Sequence, residues 1–237
     1  MKTLSIIIPV FNEEKTIKIL LEKVNQVKLP SKINKEIIVI DDHSNDATTK
    51  ILKSIKNIEF KYIHQSKNLG KGSAVRTGIN RAHGDLIIIQ DADLEYDPEF
   101  IPQLLQPILQ KRTSIVYGTR LTNYPLRFWG KNKTVLPTHL IGNYCLTFLT
   151  NTLYGSNLTD METCYKLFES SCLDGIILNS KRFDFEPEIT AKFLKKGFKI
   201  VEIPIMVKPR TYKQGKKISW KDGFSAVYTL FKYRFFD

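Results

Sequence analysis

Apolar and polar residues alternate along the chain in blocks that predict alternating strands and helices. The four apolar residues Leu86–Ile89 are typical of a strand buried on both faces of a parallel sheet. Residues 100–108 instead carry apolar side chains at helical spacing. Strands are predicted at 4–9, 36–40, 60–64, 85–90, 114–118, 165–168 and 198–207. Repeated strand–helix units predict an α/β fold with a doubly wound, mostly parallel sheet and helices on both faces.

Capping residues predict where several of the helices begin and end. Asn12 is predicted to cap the first helix, and Asp97 with Pro98 is predicted to begin the helix after the fourth strand. Asp184 is predicted to cap a later helix that ends at Gly197. The apolar stripe in residues 140–153 is interpreted as one face of a core helix.

Polar clusters follow three of the predicted strands, at residues 9–13, 41–42 and 91–95. In an open α/β sheet such clusters meet at the carboxyl edge, where ligands bind. Asp91 and Asp93 would lie on one side of an extended chain, where their charges repel unless a cation intervenes. We expect Mg²⁺ or Mn²⁺ there. The alternative is a solvated acidic turn before a helix, which leaves these two residues unexplained.

Composition adds a strong positive charge to this picture. The 237 residues are 42% hydrophobic and carry a formal net charge of +12, which favours anionic partners such as nucleotides, nucleic acid or a phospholipid surface. The three cysteines lack regular spacing and are expected to be buried or free thiols in a reducing compartment. We find no signal-peptide pattern and no apolar run of spanning length. The expected location is cytoplasmic, or peripheral on the cytosolic face of a membrane.

Much of the positive charge lies near the end of the sequence. Residues 206–237 contain eight Lys or Arg and two acidic residues, interleaved with aromatic residues. This pattern predicts a basic amphipathic helix in a membrane interface. The alternative is a terminal helix packed on the sheet with a solvated basic face. The domain boundaries are accordingly predicted as a catalytic domain at 1–210 and a basic C-terminal segment at 211–237.

Three function classes are disfavoured by the motifs. The Asn68–Gly72 turn departs from a dinucleotide fingerprint, and no phosphate-loop signature occurs, which argues against dehydrogenases and ATPases. Nucleic-acid binding would suit the basic charge. However, carboxylates at the strand ends would repel a phosphate backbone, and we expect no nucleic-acid partner.

Several motifs, in order along the chain, resemble family 2 glycosyltransferases, specifically the dolichyl-phosphate mannose synthase-like and polyprenyl-phosphate branch. They are found at 6–13, 38–42, 68–74, 91–98, 117–120 and 160–166. The resemblance implies the GT-A fold, a nucleoside-diphosphate sugar donor, inversion at the anomeric carbon and a divalent metal. The implied reaction is transfer of a hexose to a polyprenyl phosphate. The alternative is transfer to a saccharide hydroxyl in cell-envelope glycan synthesis.

The resemblance also implies roles for individual residues. Those implied for nucleotide-sugar binding are Pro9, Phe11, Glu13, Asp42, Lys71 and Asp91. Those implied for the metal are Asp91, Asp93 and Glu95. The expected catalytic residues are Asp93, Asp160, Arg120 and Arg210, with Asp160 orienting groups around the acceptor. By resemblance and charge, those expected to bind the lipid phosphate are Arg120, Arg210, Lys216 and Lys217.

Overall fold

The computed structural model describes residues 1–122, 134 and 137–236. Its strands are β1 Lys2–Val10, β2 Ile33–Asp41, β3 Lys61–His64, β4 Leu86–Ile89, β5 Ile115–Thr119, β6 Lys166–Glu169 and β7 Ile200–Pro204. Its α-helices are α1 Ile17–Gln26, α2 Thr48–Ser54, α3 Lys71–Ile79, α4 Ile101–Leu109, α5 Pro137–Tyr154, α6 Phe185–Lys195 and α7 Trp220–Phe235. Short 3₁₀ turns occur at Pro98–Phe100, Ser170–Leu173 and Tyr212–Gln214.

The strands form one sheet in the order β3-β2-β1-β4-β6-β5-β7. Among these described strands only β6 runs antiparallel, between β4 and β5, which agrees with the mostly parallel sheet predicted. The chain moves outward from β1 to β3 and returns to β4 on the other side of β1. Parallel crossovers are right-handed, so this reversal places helices on both faces. The crevice between β1 and β4 is the switch point at which such sheets bind ligands.

Isoleucine-rich strands form the centre of the core. Every residue of β4 is buried, as the unbroken apolar run predicts. Gly78 allows α3 to approach β1 and β2 closely, because a Cβ there would lie 2.7 Å from the Ile40 Cδ1 atom. Close packing of α3 on the sheet fixes the preceding Gly70 turn at the carboxyl edge.

The predicted start of the helix after β4 is confirmed. The Asp97 carboxylate accepts a hydrogen bond from the Glu99 N–H at 3.3 Å, as an N-cap does. Pro98 follows it at the first position of a short 3₁₀ turn, which leads directly into α4. Local sequence was sufficient here because the cap and its partner are only two residues apart.

The prediction that Asn12 caps the first helix was wrong. Helix α1 begins at Ile17 and its N-cap is Thr16. The carbonyl oxygen of Glu13 accepts the Ile17 N–H at 3.0 Å. Asn12 has a φ of 52° and its Oδ1 accepts the Asn45 N–H, so it joins two loops instead of capping α1.

At the start of helix α6, the predicted cap residue has the expected position but does not make the expected hydrogen bond. Asp184 occupies the N-cap position, but its carboxylate accepts the Arg182 N–H and not one from the helix. Gly197 follows the last turn with a φ of 79°, as its predicted place after the helix requires. The strand predicted at 198–207 is shorter in the structure, where β7 covers Ile200–Pro204.

The interpretation of α5 as a core helix was wrong for most of the stripe. Leu140 is buried, but Ile141, Tyr144 and Phe148 are exposed, and Phe148 keeps 73% of its accessible surface. Helix α5 packs against α7, which has exposed aromatic residues of its own. The two helices therefore leave an aromatic surface facing solvent. No helix in the described ranges is long and apolar enough to cross a bilayer.

Candidate active site

A cavity of about 380 Å³ opens at the carboxyl ends of β1, β2 and β4. All three predicted polar clusters reach it. Of the sequence-predicted site residues, those that line it are Pro9, Phe11, Glu13, Asp42, Lys71, Asp91, Asp93, Glu95, Arg120, Arg210, Lys216 and Lys217. Asp160 is the exception, because it is fully buried beside the cavity and does not line it.

Carboxylates crowd the part of the cavity that follows β4. Burial and the negative charges of Asp91 and Glu95 raise the pKa of Asp93 to about 6. Burial also opposes ionisation of Asp91, but the ammonium of Lys71 outweighs it, and the Asp91 pKa is lowered. Lys71 therefore favours the ionised form of Asp91, whereas burial and the neighbouring carboxylates oppose ionisation of Asp93.

A basic loop, residues 208–218, supplies cations to these carboxylates. The Arg210 guanidinium donates to both Glu13 oxygens at 3.0 Å and to Asp93 Oδ2 at 3.1 Å. Lys216 contacts both Glu95 oxygens at 2.9 Å. Burial opposes the charge on Glu13, but hydrogen bonds from Arg210 and Lys217 lower its pKa. The sequence placed these cations near the site without indicating their acidic partners.

Lys71, the first residue of α3, connects two walls of the cavity. Its ammonium lies 2.9 Å from Asp91 Oδ1 and 2.8 Å from Glu186 Oε1. Glu186 was not among the residues that the sequence predicted for the site, although it lies in the first turn of α6. The signal that could have found it is the paired acidic spacing of Glu186 and Glu188 at a helix start, but that pattern is also typical of ordinary helices.

Asp42 shapes the loop that precedes α3. Its two carboxylate oxygens accept the N–H groups of Leu69 and Gly70, each at 2.8 Å. Gly70 has a φ of 94°, and a Cβ there would collide with the Lys181 carbonyl oxygen. Burial raises the Asp42 pKa in spite of these hydrogen bonds. Asp42 thus supports the rim of the cavity as well as lining it.

Arg120 and Asp160 form a buried ion pair behind the cavity. The Asp160 carboxylate accepts the Arg120 backbone N–H at 2.9 Å and its Nε and Nη2 groups at 2.7 Å each. Asn143 donates to the same carboxylate at 3.0 Å. Burial opposes ionisation, yet these donors lower the Asp160 pKa. Asp160 therefore positions Arg120, whose side chain remains at the cavity wall.

Sequence comparison identifies the family to which the chain belongs. The profile of Glycosyl transferase family 2 matches residues 5–177, which is more than half of the chain. The chain belongs to glycosyl transferase family 2. This family assignment confirms the resemblance drawn from the motifs, and the activity class is sugar transfer.

Curated relatives within family 2 include enzymes named for polyprenyl-phosphate acceptors. One is the UDP-N-acetylglucosamine–dolichyl-phosphate N-acetylglucosaminyltransferase of Methanococcus voltae, 30% identical over 97% of this chain and 95% of that protein. Another is the dodecaprenyl-phosphate galacturonate synthase of Rhizobium johnstonii, 27% identical over 78% of this chain and 53% of that protein. Both agree with the polyprenyl-phosphate branch predicted within the family.

Solved structures agree on the fold. Glucosyl-3-phosphoglycerate synthase from Mycobacterium tuberculosis, in complex with Mn²⁺, UDP and phosphoglyceric acid, superposes with a TM-score of 0.73 at 16% identity. The match covers 100% of this chain and 80% of that one. A complex of the same enzyme with Mg²⁺ and UDP superposes with a TM-score of 0.70. The predicted GT-A architecture of this family 2 protein is thereby confirmed.

Proposed function

We propose that the protein transfers a hexose from a UDP-sugar to a polyprenyl phosphate, with inversion at the anomeric carbon. The observation that carries this proposal is that the Asp160 carboxylate already has hydrogen-bond partners within the protein. Its carboxylate is occupied by Arg120 and Asn143, so it is not free to take a proton from an acceptor hydroxyl. A phosphomonoester needs no such base, because its second pKa is near 6 and it is mostly dianionic at pH 7.

The donor end of the cavity would hold a divalent metal. Asp91 and Asp93 provide hard oxygen ligands, and the raised pKa of Asp93 reflects, after burial, the repulsion among carboxylates that a cation relieves. The ion would be held by one or two of these carboxylates together with phosphate oxygens of the donor. Such an ion supplies Lewis-acid neutralisation of the leaving diphosphate.

The donor nucleotide is proposed as UDP. Support comes from the named substrate of the Methanococcus voltae relative and from UDP in the superposed structures. Pro9, Phe11 and Asp42 line the same cavity, and the nucleoside is proposed to lie against them.

The acceptor phosphate is proposed to bind the cations of the basic loop and Arg120. Two anionic substrates must approach each other, and like charges oppose this unless cations lie between them. Arg210 presents a planar fork that can grip two phosphate oxygens. In the structure this fork is bound to Glu13 and Asp93, so binding of the acceptor exchanges carboxylate partners for phosphate partners.

The protein is proposed to contact a membrane surface through α7 and α5. Trp220 and Phe224 each keep 70% of their accessible surface, and Tyr228 keeps 68%. Lys221 lies 5.8 Å from the centre of the Trp220 ring, so positive charge accompanies the aromatic side chains. An exposed aromatic and basic helix face suits an anionic lipid surface. The basic loop leads directly into α7 and would bring the cavity to the headgroups.

An acceptor panel tests the proposed function. Purified protein is incubated with UDP-sugars, Mg²⁺ or Mn²⁺, and either a short polyprenyl phosphate, the matching free polyprenol or a simple saccharide. We expect a glycolipid product with the phosphate and none with the free polyprenol. Product on the saccharide alone would establish the hydroxyl-acceptor alternative and overturn the proposal.

A further inference from the structure

Glu162 lines the cavity but has no role in the arrangement described so far. Its Oε1 atom is buried and has no hydrogen-bond partner in the part of the chain that the structure describes. This contrasts with Asp160, two residues earlier, whose carboxylate accepts three hydrogen bonds from Arg120. A buried polar group without a partner costs about 1–3 kcal/mol. A molecule entering the cavity could supply the missing partner.

The surroundings of Glu162 place it beside the donor site. Glu186 lines the same cavity and lies close enough for its charge to act on Glu162. Lys71 joins Glu186 to Asp91 through contacts of 2.8 Å and 2.9 Å. Asp91 lies next to the proposed diphosphate position. Because the donor sugar is bonded to that diphosphate, it must occupy cavity space close to these residues.

The protonation of Glu162 suits contact with a sugar. Burial and the negative charge of Glu186 raise the pKa of Glu162 well above its usual range, which favours the protonated carboxyl. In that form it can donate one hydrogen bond and accept others. The nearby Lys166 does not line the cavity, and its ammonium donates to the Met161 carbonyl oxygen at 2.6 Å.

We propose that Glu162 hydrogen-bonds a hydroxyl group of the donor sugar, and that the sugar is an uncharged hexose or N-acetylhexosamine and not a uronic acid. The inference rests on the proposed donor site. A sugar carboxylate would lie near Glu186 and Asp91, whose charges oppose it. Lys71 is already shared by those two residues, and Arg120 is paired with Asp160. Arg182 lies at the exposed edge of the cavity.

Calorimetric binding tests this assignment with free UDP, UDP-glucose, UDP-galactose, UDP-N-acetylglucosamine and UDP-glucuronate. We expect the best neutral donor to bind wild type at least about tenfold more tightly than UDP-glucuronate. In Glu162→Ala that donor should weaken by roughly tenfold, the value of one hydrogen bond, while free UDP binds as in wild type. Glu162→Gln keeps a donor and an acceptor and should stay within about threefold of wild type.

The outcomes separate this inference from the function on which it rests. Failure of wild type to bind UDP would refute the donor site and the inference together. Normal UDP binding with equal donor affinity in Glu162→Ala would refute the inference alone, as would tightest binding of UDP-glucuronate. Loss of turnover in Glu162→Gln, with donor affinity unchanged in both Glu162→Gln and Glu162→Ala, would make Glu162 a base and overturn its recognition role. Glu169→Gln, at the opposite end of the sheet, controls for the substitution, and thermal unfolding confirms that each variant folds.

Discussion

Replacing Asp160 with asparagine should destabilise the protein strongly. The substitution keeps the shape but removes the charge that faces the Arg120 guanidinium at 2.7 Å. Breaking a buried ion pair by removing one partner costs about 3–5 kcal/mol. The Arg120 side chain is 20% exposed, so water partly solvates the remaining charge, and we expect the lower end, about 3 kcal/mol. For a chain of this size that is a fall in Tm of roughly 6–12 °C.

The pH dependence of this effect follows from the lowered pKa of Asp160. Burial opposes the charge, but Arg120 stabilises it, so the folded pKa lies below the unfolded value of about 3.9. The ionised Asp160 carboxylate then makes its full contribution to the free energy of unfolding above about pH 4, and this contribution is lost as the pH falls through the folded pKa. The gap in unfolding free energy between wild type and Asp160→Asn should be constant from about pH 6 to pH 9 and narrow in acid.

Urea unfolding measured across this pH range provides the assay, with Asp85→Asn as a matched control. Asp85 is exposed and its carboxylate accepts the Thr3 N–H, so its replacement should change the unfolding free energy by about 0.5 kcal/mol or less. An Asp160→Asn protein as stable as that control would refute the buried-pair reasoning. In turnover, the variant should lose rate but keep the basic limb of the pH profile; loss of an ionisation would instead identify Asp160 as a base.

Three further substitutions test the proposed donor, acceptor and membrane contacts. Asp93→Asn should abolish most turnover, as should excess chelator, and full activity in either case would exclude the metal role. Arg210→Ala should raise the acceptor KM or lower kcat with donor affinity nearly intact. The control Arg112→Ala, at the opposite end of the sheet from the cavity, should do neither. Damage confined to donor affinity would place Arg210 at the diphosphate. Replacing Trp220 and Phe224 with serine should weaken binding to anionic vesicles by at least about tenfold, because full burial of each such side chain contributes about 1.5–3 kcal/mol. Ile177→Ser, equally exposed elsewhere, should leave vesicle binding unchanged.

Local sequence pattern predicted the fold and the location of the cavity well. The buried run before Asp91 determined a strand, and the rule that ligands bind at carboxyl ends of parallel strands brought Glu13, Asp42 and Asp93 to one edge. These inferences depend only on neighbours in sequence and on the topology of the sheet. They therefore needed no knowledge of which side chains touch.

Contacts between distant segments could not be predicted in this way. Nothing near Arg210 indicates that its partner is Glu13, and nothing near Glu186 indicates Lys71. Asparagine commonly caps helices, but the Asn12 side chain instead accepts a hydrogen bond from the Asn45 N–H in the neighbouring loop. The exposure of Phe148 likewise depends on the arrangement of α5 and α7, because helical periodicity is the same for a core face and for an uncovered one.

The contact between Glu13 and Arg210 has a consequence for synthesis of the protein. These residues are separated by 197 positions, so Glu13 is made long before the arginine that pairs with it. At about 5–20 residues per second, a ribosome needs roughly 10–40 s to proceed from one to the other. During that interval the carboxylates have no counter-charges from the basic loop. The site therefore becomes complete only after the basic loop has been synthesised and has folded against the carboxyl end of β1.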